Sequence, residues 1–501
     1  MKKTGKVYLV GAGIGSEEYI TIKGKRVLEE ADVIVYDRLL NMNLLNFNDK
    51  SKEFINAGKQ SSNHILAQDD TNEILVKKAL EGKTVVRLKG GDPYVFGRGG
   101  EEAEYLVERN IEFEVVPGIT SGIAGLCFAG IPITHRDYSS SLHLITGHKK
   151  NEDNLDFSSL ANLNGTIVFY MGLENLANIC NGFIVNGKNP NTPCAVISHG
   201  GYPDQVVVSS TLKDIEKVIE DKNVKSPSLI VIGDVIKLRD KLNFYEKKLL
   251  FGKNVVVTRA RAQASSLVNK LSELGANVIE VPSIAIKQIN EDKLTRELED
   301  LKKYSHIIFT STNAVEIFMN KIFENKDVRE LGNIKIFAIG DGTANKLREY
   351  GIKADFMPSS FVAESLFEEI KNIINKNHSI LLPRALKSRP YLKEKLSEIC
   401  NVVELPIYDT VTECINENEK ENLKNTNIDY ITFTSSSTVE NFIKLVDDET
   451  LEKIKKSKII SIGPITSKTA ENNGLNVYKE SEVYNIDNLV YTILKDQEKK
   501  L

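Results

Sequence analysis

A glycine-rich segment at residues 87–102 has the composition of a loop that binds a small molecule. It contains five glycines and one proline, and it follows directly on a short apolar run. Glycine lets the backbone approach a ligand closely, and open α/β sheets bind ligands in loops at the carboxyl ends of their strands. We therefore predict a ligand site at this loop.

Two further segments of the first half have the same strand-then-loop character. Residues 11–15 form a second glycine turn, suited to an adenosine or phosphate group. Ser16 stands where the dinucleotide-binding fingerprint requires a glycine, so this turn is equally compatible with a structural role. Residues 116–121 bring two hydroxyl groups to the end of another apolar run.

Threonine and serine residues recur in the second half and suggest a set of hydrogen-bond donors for carboxylates. Residues 306–316 are echoed by residues 430–440, and two other pairs of segments repeat at nearly the same spacing. The repeated hydroxyl residues are Thr310, Ser311, Thr343, Thr434, Ser435 and Thr466. Each alone is more typical of a helix N-cap. Their occurrence in matched sets favours a ligand-binding role.

Short β-branched runs alternate with segments of helical spacing along the whole chain, which predicts an α/β fold. At 501 residues the chain is too long for one domain, and a charged passage after Ile236 precedes a new strand at Val255. We predict a first domain over residues 1–245 and a second over residues 252–501. The repeat predicts two similar α/β lobes in the second domain, and a cleft between lobes is a common ligand site.

Charge and cysteine content exclude several classes of protein. The net charge is −4 and neither half is basic, so no nucleic acid is expected as a partner. The five cysteines show no Cys-x-x-Cys spacing, so we expect no metal site, no disulfide framework and a reducing, cytoplasmic location. No apolar run reaches the length of a membrane span, so no membrane partner is expected.

The motifs of the first half together resemble uroporphyrinogen-III C-methyltransferase. The segments that carry the resemblance, in the family's order, are residues 7–13, 31–39, 87–102, 116–121, 134–138 and 169–173. The resemblance covers about residues 1–240. It implies a domain of two α/β subdomains, commonly dimeric, that transfers two methyl groups from S-adenosylmethionine to carbons of uroporphyrinogen III. The product would be precorrin-2, on the way to sirohaem or cobalamin.

The resemblance also implies the residues of this site. The expected S-adenosylmethionine contacts are Gly11, Gly13, Ile14, Gly90, Gly91, Asp92, Val95, Thr120, Ser121, Met171 and Gly200. Asp37 and Lys59 match the family's proposed proton acceptor and proton donor. Methyl displacement needs alignment more than a nucleophilic side chain, and the alkylated macrocycle must then lose a proton, which suits an acid–base pair. Lys59 is alternatively a cation for the substrate carboxylates.

The chain departs from this family at two places near the expected site. The family usually reads Gly-Pro-Gly-Asp after the first strand, whereas this chain has Ile14 and Ser16 at the second and fourth positions. Isoleucine does not fix φ as proline does, so we expect a less rigid loop that still binds through its backbone. His199 also precedes Gly200 where the family more often has asparagine.

The second half resembles uroporphyrinogen-III synthase over about residues 252–501. The segments that carry the resemblance are residues 257–259, 281–284, 309–311, 339–340, 382–384, 405–410 and 462–466. It implies closure of hydroxymethylbilane with inversion of the last ring, without metal or cofactor. One lobe would combine residues 252–284 with 408–501, and the other would be residues 287–405.

The same resemblance implies roles for five residues of the second half. Tyr408 matches the family tyrosine thought to assist departure of the hydroxyl group, and it is alternatively a buried hinge residue. Thr343 and Thr466 match substrate-contacting threonines. Arg259 and Arg384 are expected carboxylate partners.

These observations predict a cytoplasmic bifunctional enzyme that forms uroporphyrinogen III and methylates it twice. An RNA methylase is an alternative for the first half, but the absence of a basic excess argues against it. A nicotinamide dehydrogenase is another, suggested by the turn at residues 11–13, but Ser16 and the longer glycine-rich loop disfavour it. For the second half, the alternative is a module that binds tetrapyrroles without catalysis.

Overall fold

The computed structural model describes residues 4–37, 40, 42–45, 52–57, 68–147, 155–222, 224–259, 261–412, 420 and 423–498. The chain divides into two compact units, the first formed by Met1–Lys253 with Leu271–Asn277 and the second by Asn254–Lys270 with Val278–Leu501. The described residues form four five-stranded sheets, with helices between most of the strands, which gives the α/β fold that the sequence predicts. Within the ranges above, no helix is both long and apolar enough to cross a membrane.

The first sheet is parallel and buried on both faces. Its elements are β1 (Lys6–Gly11), α1 (Ile22–Glu30), β2 (Val33–Tyr36), β3 (Glu53–Asn56), α2 (Gln68–Leu80), β4 (Val85–Lys89), α3 (Gly99–Glu108), β5 (Glu112–Val116) and α4 (Ser121–Phe128). The order is β3-β2-β4-β1-β5. Val7 and Leu9 pack with α2 and α3, while Val10 packs with α1, which explains the continuous apolar run of β1. All the carboxyl ends therefore lie at one edge.

The second sheet is mixed. Its elements are β6 (Leu142–Thr146), α5 (Phe157–Leu160), β7 (Thr166–Tyr170), α6 (Leu176–Val185), β8 (Pro193–Ser198), β9 (Val206–Thr211), α7 (Ile215–Glu220), β10 (Ser228–Ile232) and α8 (Arg239–Leu242). The order is β6-β7-β10-β8-β9, and β10 is antiparallel to both of its neighbours. The ends of β7 and β8 point toward α4, since a Cβ on Gly200 would lie 2.9 Å from Gly125 Cα.

The second unit begins with two strands, β11 (Asn254–Val257) and β12 (Asn277–Glu280), of one sheet. The five strands that follow them form a second, complete sheet. The elements of this stretch are β11 (Asn254–Val257), α9 (Arg261–Glu273), β12 (Asn277–Glu280), β13 (Ile284–Gln288), α10 (Glu291–Glu299), β14 (His306–Phe309), α11 (Thr312–Phe323), β15 (Lys335–Ala338), α12 (Asp341–Glu349), α13 (Ala363–Ile370), β16 (Ser379–Ala385), α14 (Tyr391–Ser397) and β17 (Asn401–Thr412). Strands β13 to β17 form a sheet in the order β13-β17-β16-β14-β15. We name this sheet and its helices the inner lobe.

The chain then returns to complete the first of these sheets. The remaining elements are β18 (Tyr430–Phe433), α15 (Ser436–Leu445), α16 (Asp448–Lys456), β19 (Lys458–Ser461), α17 (Pro464–Asn472), β20 (Val477–Glu480) and α18 (Ile486–Glu498). The order β12-β11-β18-β19-β20 joins strands from both ends of the unit, with Val255 paired to Tyr430. We name this sheet and its helices the outer lobe.

The strand bounds differ from the predicted lobe bounds at two places. Ile284 and residues 408–412 are predicted for the outer lobe, but they lie in β13 and β17 of the inner lobe. The antiparallel pairing of β13 with β17, which runs from Ile284 opposite Thr412 to Gln288 opposite Tyr408, extends the inner sheet to that point. The internal repeat is visible as two matched pairs of elements, because β14–α11 and β15–α12 recur as β18–α15 and β19–α17.

Candidate functional sites

Three loops of the first sheet meet backbone to backbone at the carboxyl ends of β1, β4 and β5. Gly13 N donates to Gly91 O at 3.1 Å, and Gly91 N donates to Gly13 O at 2.8 Å. A Cβ on Gly11 would lie 2.6 Å from Gly118 Cα and 2.7 Å from Gly91 O. The close approach of the loops therefore requires glycine at Gly11 and Gly118, apart from any contact with a ligand.

Asp92 fixes the glycine-rich loop through both carboxylate oxygens. Its Oδ2 accepts a hydrogen bond from Gly118 N at 3.0 Å, and its Oδ1 accepts one from Tyr94 N at 2.8 Å. The first bond ties the β4 loop to the β5 loop. Asp92 thus shapes the predicted cofactor site from within the protein.

Tyr170, at the end of β7, joins the second sheet to the start of α4. Its hydroxyl lies 2.7 Å from Thr120 Oγ1 and accepts a hydrogen bond from Gly122 N at 2.6 Å. Because the Gly122 amide can only donate, the Tyr170 hydroxyl hydrogen is available to Thr120. This buried link ties the N-terminus of α4 to the end of β7, directly before Met171, which is 58% exposed.

Most of the non-glycine residues with left-handed backbone lie in these loops. Within the described part of the chain, six non-glycine residues have positive φ, and two of them are asparagines, which tolerate that region. The other four are Phe96 (φ 53°), Arg98 (φ 59°), Met171 (φ 53°) and His199 (φ 49°). Such strain is held by the surrounding structure and is frequent at ligand sites.

The turn after β1 also contacts the turn after β8. Gly13 and Gly15 have φ of 69° and 70°, and a Cβ on Gly15 would overlap the carbonyl oxygen of Gly201. Ser16, where the related family has aspartate, caps the following short helical turn by accepting a hydrogen bond from Glu18 N at 3.3 Å. The residues that replace the family pattern therefore still form a defined turn.

The structure brings the sequence-predicted residues of the first half to one region, where the loops after β1, β4, β5, β7 and β8 converge. The predicted cofactor contacts in these loops are Gly11, Gly13, Ile14, Gly90, Gly91, Asp92, Val95, Thr120, Ser121, Met171 and Gly200. The predicted proton donor Lys59 lies outside the described residues.

Asp37, the predicted proton acceptor, belongs to a buried charge network. Its Oδ1 accepts a hydrogen bond from Arg87 Nη2 at 2.7 Å, while Arg87 Nε and Lys89 Nζ lie 3.0 Å and 2.9 Å from Glu102 Oε1. Burial opposes the charge of Arg87, but the Glu102 and Asp37 carboxylates outweigh it and raise the pKa of Arg87. Burial and the Arg87 charge lower the pKa of Lys89. The Asp37 side chain is fixed by its bond to Arg87 and is still 34% exposed.

His199 pairs with a carboxylate at the turn after β8. Its Nδ1 lies 2.7 Å from Asp204 Oδ2, and this hydrogen bond raises the pKa of His199. The ion pair stabilises a turn that is strained at His199 and that places Gly200 beside α4.

In the second unit, the repeated serines are helix caps. Ser311 Oγ accepts a hydrogen bond from Ala314 N at 3.1 Å at the start of α11. Ser435 Oγ accepts one from Thr438 N at 3.3 Å at the start of α15, and the Thr438 hydroxyl returns as acceptor to Ser435 N at 3.2 Å. The capping role, which the sequence left open, is therefore present at both serines.

The predicted threonines occupy equivalent buried positions in the two lobes. Thr343 is the third residue of α12 and Thr466 the third of α17, and both are buried. Gly340 and Gly463 cap these helices in extended conformation. Each lobe thus presents a glycine, the N-terminus of a helix and a threonine at the carboxyl edge of its sheet.

Tyr408 and Ser311 are brought together in the inner lobe. The Tyr408 hydroxyl lies 2.9 Å from Ser311 Oγ, and the Tyr408 ring is buried in the core of this lobe. Ser311 Oγ already accepts from Ala314 N, so its own hydroxyl hydrogen can be donated to Tyr408. The arrangement fits both the predicted catalytic role and the buried structural alternative.

Arg384 is held inside the inner lobe. Its side chain is 5% exposed, its Nη2 donates to Arg389 O at 2.5 Å, and its Nε lies 3.4 Å from Glu404 Oε1. Burial lowers the pKa of Arg384, and the Glu404 charge opposes this effect. Arg259, at the end of β11 in the outer lobe, is half-buried, and burial lowers its pKa as well. The two cations therefore lie in separate lobes.

Sequence reasoning missed the residues that support the first site. Arg87 and Lys89 alternate in an otherwise apolar strand, a pattern that should predict buried cations in need of a carboxylate partner. Glu102 supplies that partner from α3, and no spacing in the sequence identifies it. Tyr170 stands out in the sequence only as part of a motif, because its partners at the start of α4, Thr120 and Gly122, are distant in sequence.

Comparison with known proteins assigns a family to each part of the chain. Residues 6–216 match the tetrapyrrole (corrin/porphyrin) methylases, and residues 265–491 match uroporphyrinogen-III synthase HemD. A porphyrin biosynthesis protein HemD from Ruminiclostridium josui is 40% identical over 499 residues, which cover 98% of each chain.

Two further relatives are named as methyltransferases. A uroporphyrinogen-III C-methyltransferase from Bacillus subtilis is 40% identical over 75% of this chain and 77% of that protein. An S-adenosyl-L-methionine-dependent uroporphyrinogen III methyltransferase from Methanosarcina barkeri is 52% identical over 47% of this chain and 94% of that protein.

A tetrapyrrole methylase therefore precedes a uroporphyrinogen-III synthase in one polypeptide. The chain belongs to this family of bifunctional tetrapyrrole biosynthesis enzymes. The predicted resemblance of both halves is confirmed, and membership decides against the RNA-methylase and dehydrogenase alternatives.

Proposed function

We propose that the second unit closes hydroxymethylbilane to uroporphyrinogen III and that the first unit methylates this product twice to give precorrin-2. The convergence of five strand-end loops on one region, with strained backbone at Met171 and His199, is the observation that carries the methylation site. The bond between Tyr408 and Ser311 is the observation that carries the synthase site.

The residues at the loop junction fit S-adenosylmethionine. Glycines let the loops after β1, β4 and β5 pack closely together, and Met171, directly after Tyr170, offers an exposed apolar side chain near the N-terminus of α4. The positive end of α4 suits the carboxylate of an amino-acid group. The bound group would supply a methyl carbon attached to a sulfonium sulfur. The loops themselves would supply alignment, which is the main requirement of a displacement.

Asp37 is proposed to accept the proton that the methylated macrocycle releases. The network of Arg87, Glu102 and Lys89 holds its carboxylate in one position, while the Asp37 side chain stays partly exposed. Lys59 is proposed as the proton donor, and a carboxylate-binding role for Lys59 remains the alternative. A base held in place without a change in geometry lowers the reorganisation needed for proton transfer.

In the second unit, Tyr408 is proposed to donate a hydrogen bond to the departing hydroxyl group of hydroxymethylbilane. Thr343 and Thr466, with the amides at the starts of α12 and α17, are proposed to bind carboxylates from the inner and outer lobes. Arg259 and Arg384 are proposed to add positive charge near those carboxylates. The hydroxyls of Thr310, Ser311, Thr434 and Ser435 complete the proposed set of polar contacts.

The proposed domain division, residues 1–245 and 252–501, assigns one reaction to each part. A cytoplasmic location and a homodimer formed through the methyltransferase part are proposed from the cysteine pattern and the resemblance. Sedimentation of the full chain at twice the mass of a single chain would support the dimer. A single-chain mass at micromolar concentration would contradict it.

One experiment tests both activities. The full chain is given hydroxymethylbilane and S-adenosylmethionine, and the products are separated by chromatography. Precorrin-2 is the expected product. If uroporphyrinogen I accumulates while added uroporphyrinogen III is still methylated, the second unit is a non-catalytic module. If added uroporphyrinogen III is not methylated, the methyltransferase proposal is wrong.

A further inference from the structure

In each lobe of the second unit, an aromatic ring packs against the glycine that caps the N-terminus of a helix. That helix, α12 or α17, begins at the carboxyl edge of the sheet. A Cβ on Gly340 would lie 2.9 Å from Phe361 Cγ, and a Cβ on Gly463 would lie 2.9 Å from Tyr484 Cδ1. Both glycines have extended backbone, with φ of −175° and 175°, so their conformation does not require glycine. Because glycine has no side chain, there is free space next to each Cα, and the aromatic ring fills that space.

The two rings occupy the same place in the internal repeat. Phe361 follows Gly340 by the same number of residues as Tyr484 follows Gly463, and each ring stands just before a helix, α13 or α18. The residues that precede the rings differ, those that follow are similar (364–366 and 487–489), and the contact between ring and glycine is kept. Core packing does not explain why both contacts are kept, because Phe361 is 53% exposed and Tyr484 is 65% exposed.

The surroundings of the rings fit a flat anionic ligand. Each ring has one side against a glycine and much of its surface in solvent, beside the N-terminus of the helix that carries Thr343 or Thr466. A tetrapyrrole combines flat pyrrole rings with carboxylate side chains. Stacking on an aromatic side chain suits the first feature, and helix amides suit the second.

We infer that Phe361 and Tyr484 position the linear tetrapyrrole of the synthase reaction, one ring in each lobe stacking on a pyrrole of the substrate. This inference rests on the proposed synthase function. The rings act in binding and alignment and exchange no proton or bond with the substrate. Two stacking contacts on opposite lobes would hold the two parts of the substrate while its ends are joined.

The test uses the full chain with Phe361→Leu, Tyr484→Leu and the double variant. Each single substitution is expected to raise KM for hydroxymethylbilane about threefold to tenfold with little change in kcat, the range of one aromatic pair. Tyr484→Phe keeps the ring and should behave as wild type. Phe323→Leu, another exposed aromatic of the inner lobe on α11, is the matched control and should also behave as wild type.

Two readouts separate failure of this inference from failure of the proposed function. Methylation of added uroporphyrinogen III by the same variants should be unchanged, which shows that the first unit is intact, and a retained kcat at saturating hydroxymethylbilane shows that the second unit is folded. Calorimetric titration with uroporphyrinogen III should show two sites in wild type and loss of one in the double variant, even if the second unit proves non-catalytic. Unchanged KM together with two retained sites in the double variant would overturn the inference.

Discussion

Replacement of Tyr170 by phenylalanine tests whether one buried hydroxyl organises the methyl-donor site. The substitution keeps the ring but removes the acceptor of Gly122 N and the partner of Thr120. A buried amide left without an acceptor costs about 1–3 kcal/mol. We expect the first unit to lose about this much stability.

The same substitution should weaken binding of the methyl donor. The N-terminus of α4 is less ordered without the Tyr170 hydroxyl, and binding must then order it again. If about 1.4 kcal/mol of this free energy must be supplied by binding, the affinity for S-adenosylhomocysteine falls about tenfold. Isothermal titration of the full chain with S-adenosylhomocysteine measures this change, and thermal unfolding measures the stability.

Tyr105→Phe is the control for this prediction. Tyr105 lies on α3, where its ring packs against Arg109, whose guanidinium carbon is 3.3 Å from the ring centroid. Loss of its hydroxyl should change neither binding nor stability. If Tyr170→Phe binds S-adenosylhomocysteine as tightly as wild type and unfolds at the same temperature, the hydroxyl does not organise the site and the reasoning fails.

Four further predictions concern other contacts. Gly118→Ala should abolish methylation but leave synthase activity, because its Cβ would overlap the β4 loop; product analysis with each substrate tests this. Ser311→Ala should cost about 1 kcal/mol of stability through loss of a helix cap, whereas Tyr408→Phe should mainly lower synthase kcat. Asp204 raises the pKa of His199 above its ordinary value of about 6.5, so their pair stabilises the fold at low pH and less as pH rises through the raised pKa. Urea unfolding of wild type and His199→Asn should therefore converge at high pH.

Each of these predictions has an opposing outcome. Unchanged stability in Ser311→Ala would mean that the Ser311 cap does not contribute to the stability of the second unit. Methylation by Gly118→Ala at the wild-type rate would mean that the loops can separate without loss of the site. A full synthase rate in Tyr408→Phe would leave Tyr408 with a structural role only. A stability difference between wild type and His199→Asn that grows with pH would contradict the assigned direction of the pKa shift.

Much of the fold follows from local patterns in the sequence. Continuous apolar runs such as Val7–Val10 predict buried strands because both faces of a parallel sheet are covered, and the structure confirms the α/β class. The glycine-rich loops were placed at strand ends by the same reasoning. What the sequence could not predict is which side chains support those loops, because Glu102 and Tyr170 meet their partners only after the sheets have formed.

The repeat in the second half was interpreted correctly as a duplication, but its details depended on packing. The serines at the strand ends could be predicted as caps or ligand contacts, and hydrogen-bond geometry was needed to show the caps. The bounds of the lobes were misplaced at Tyr408, since antiparallel pairing with β13 carries β17 further than its sequence suggests. Phe361 and Tyr484 stand in a weak repeat, each followed by an acidic residue and a leucine at the same spacing, but only the structure shows that each ring packs on a glycine.

The order of strands in the second unit has a consequence for how the chain folds during synthesis. The inner sheet is built from one continuous stretch, β13 to β17, so its contacts are available as soon as that stretch has left the ribosome. The outer sheet pairs Val255 with Tyr430 and is incomplete until β20 has been made. Contacts between residues so distant in sequence form slowly, because a long loop must first be closed. We expect the inner lobe to fold first and the outer lobe last. Until translation is nearly complete, β11 then lacks its partner strand β18.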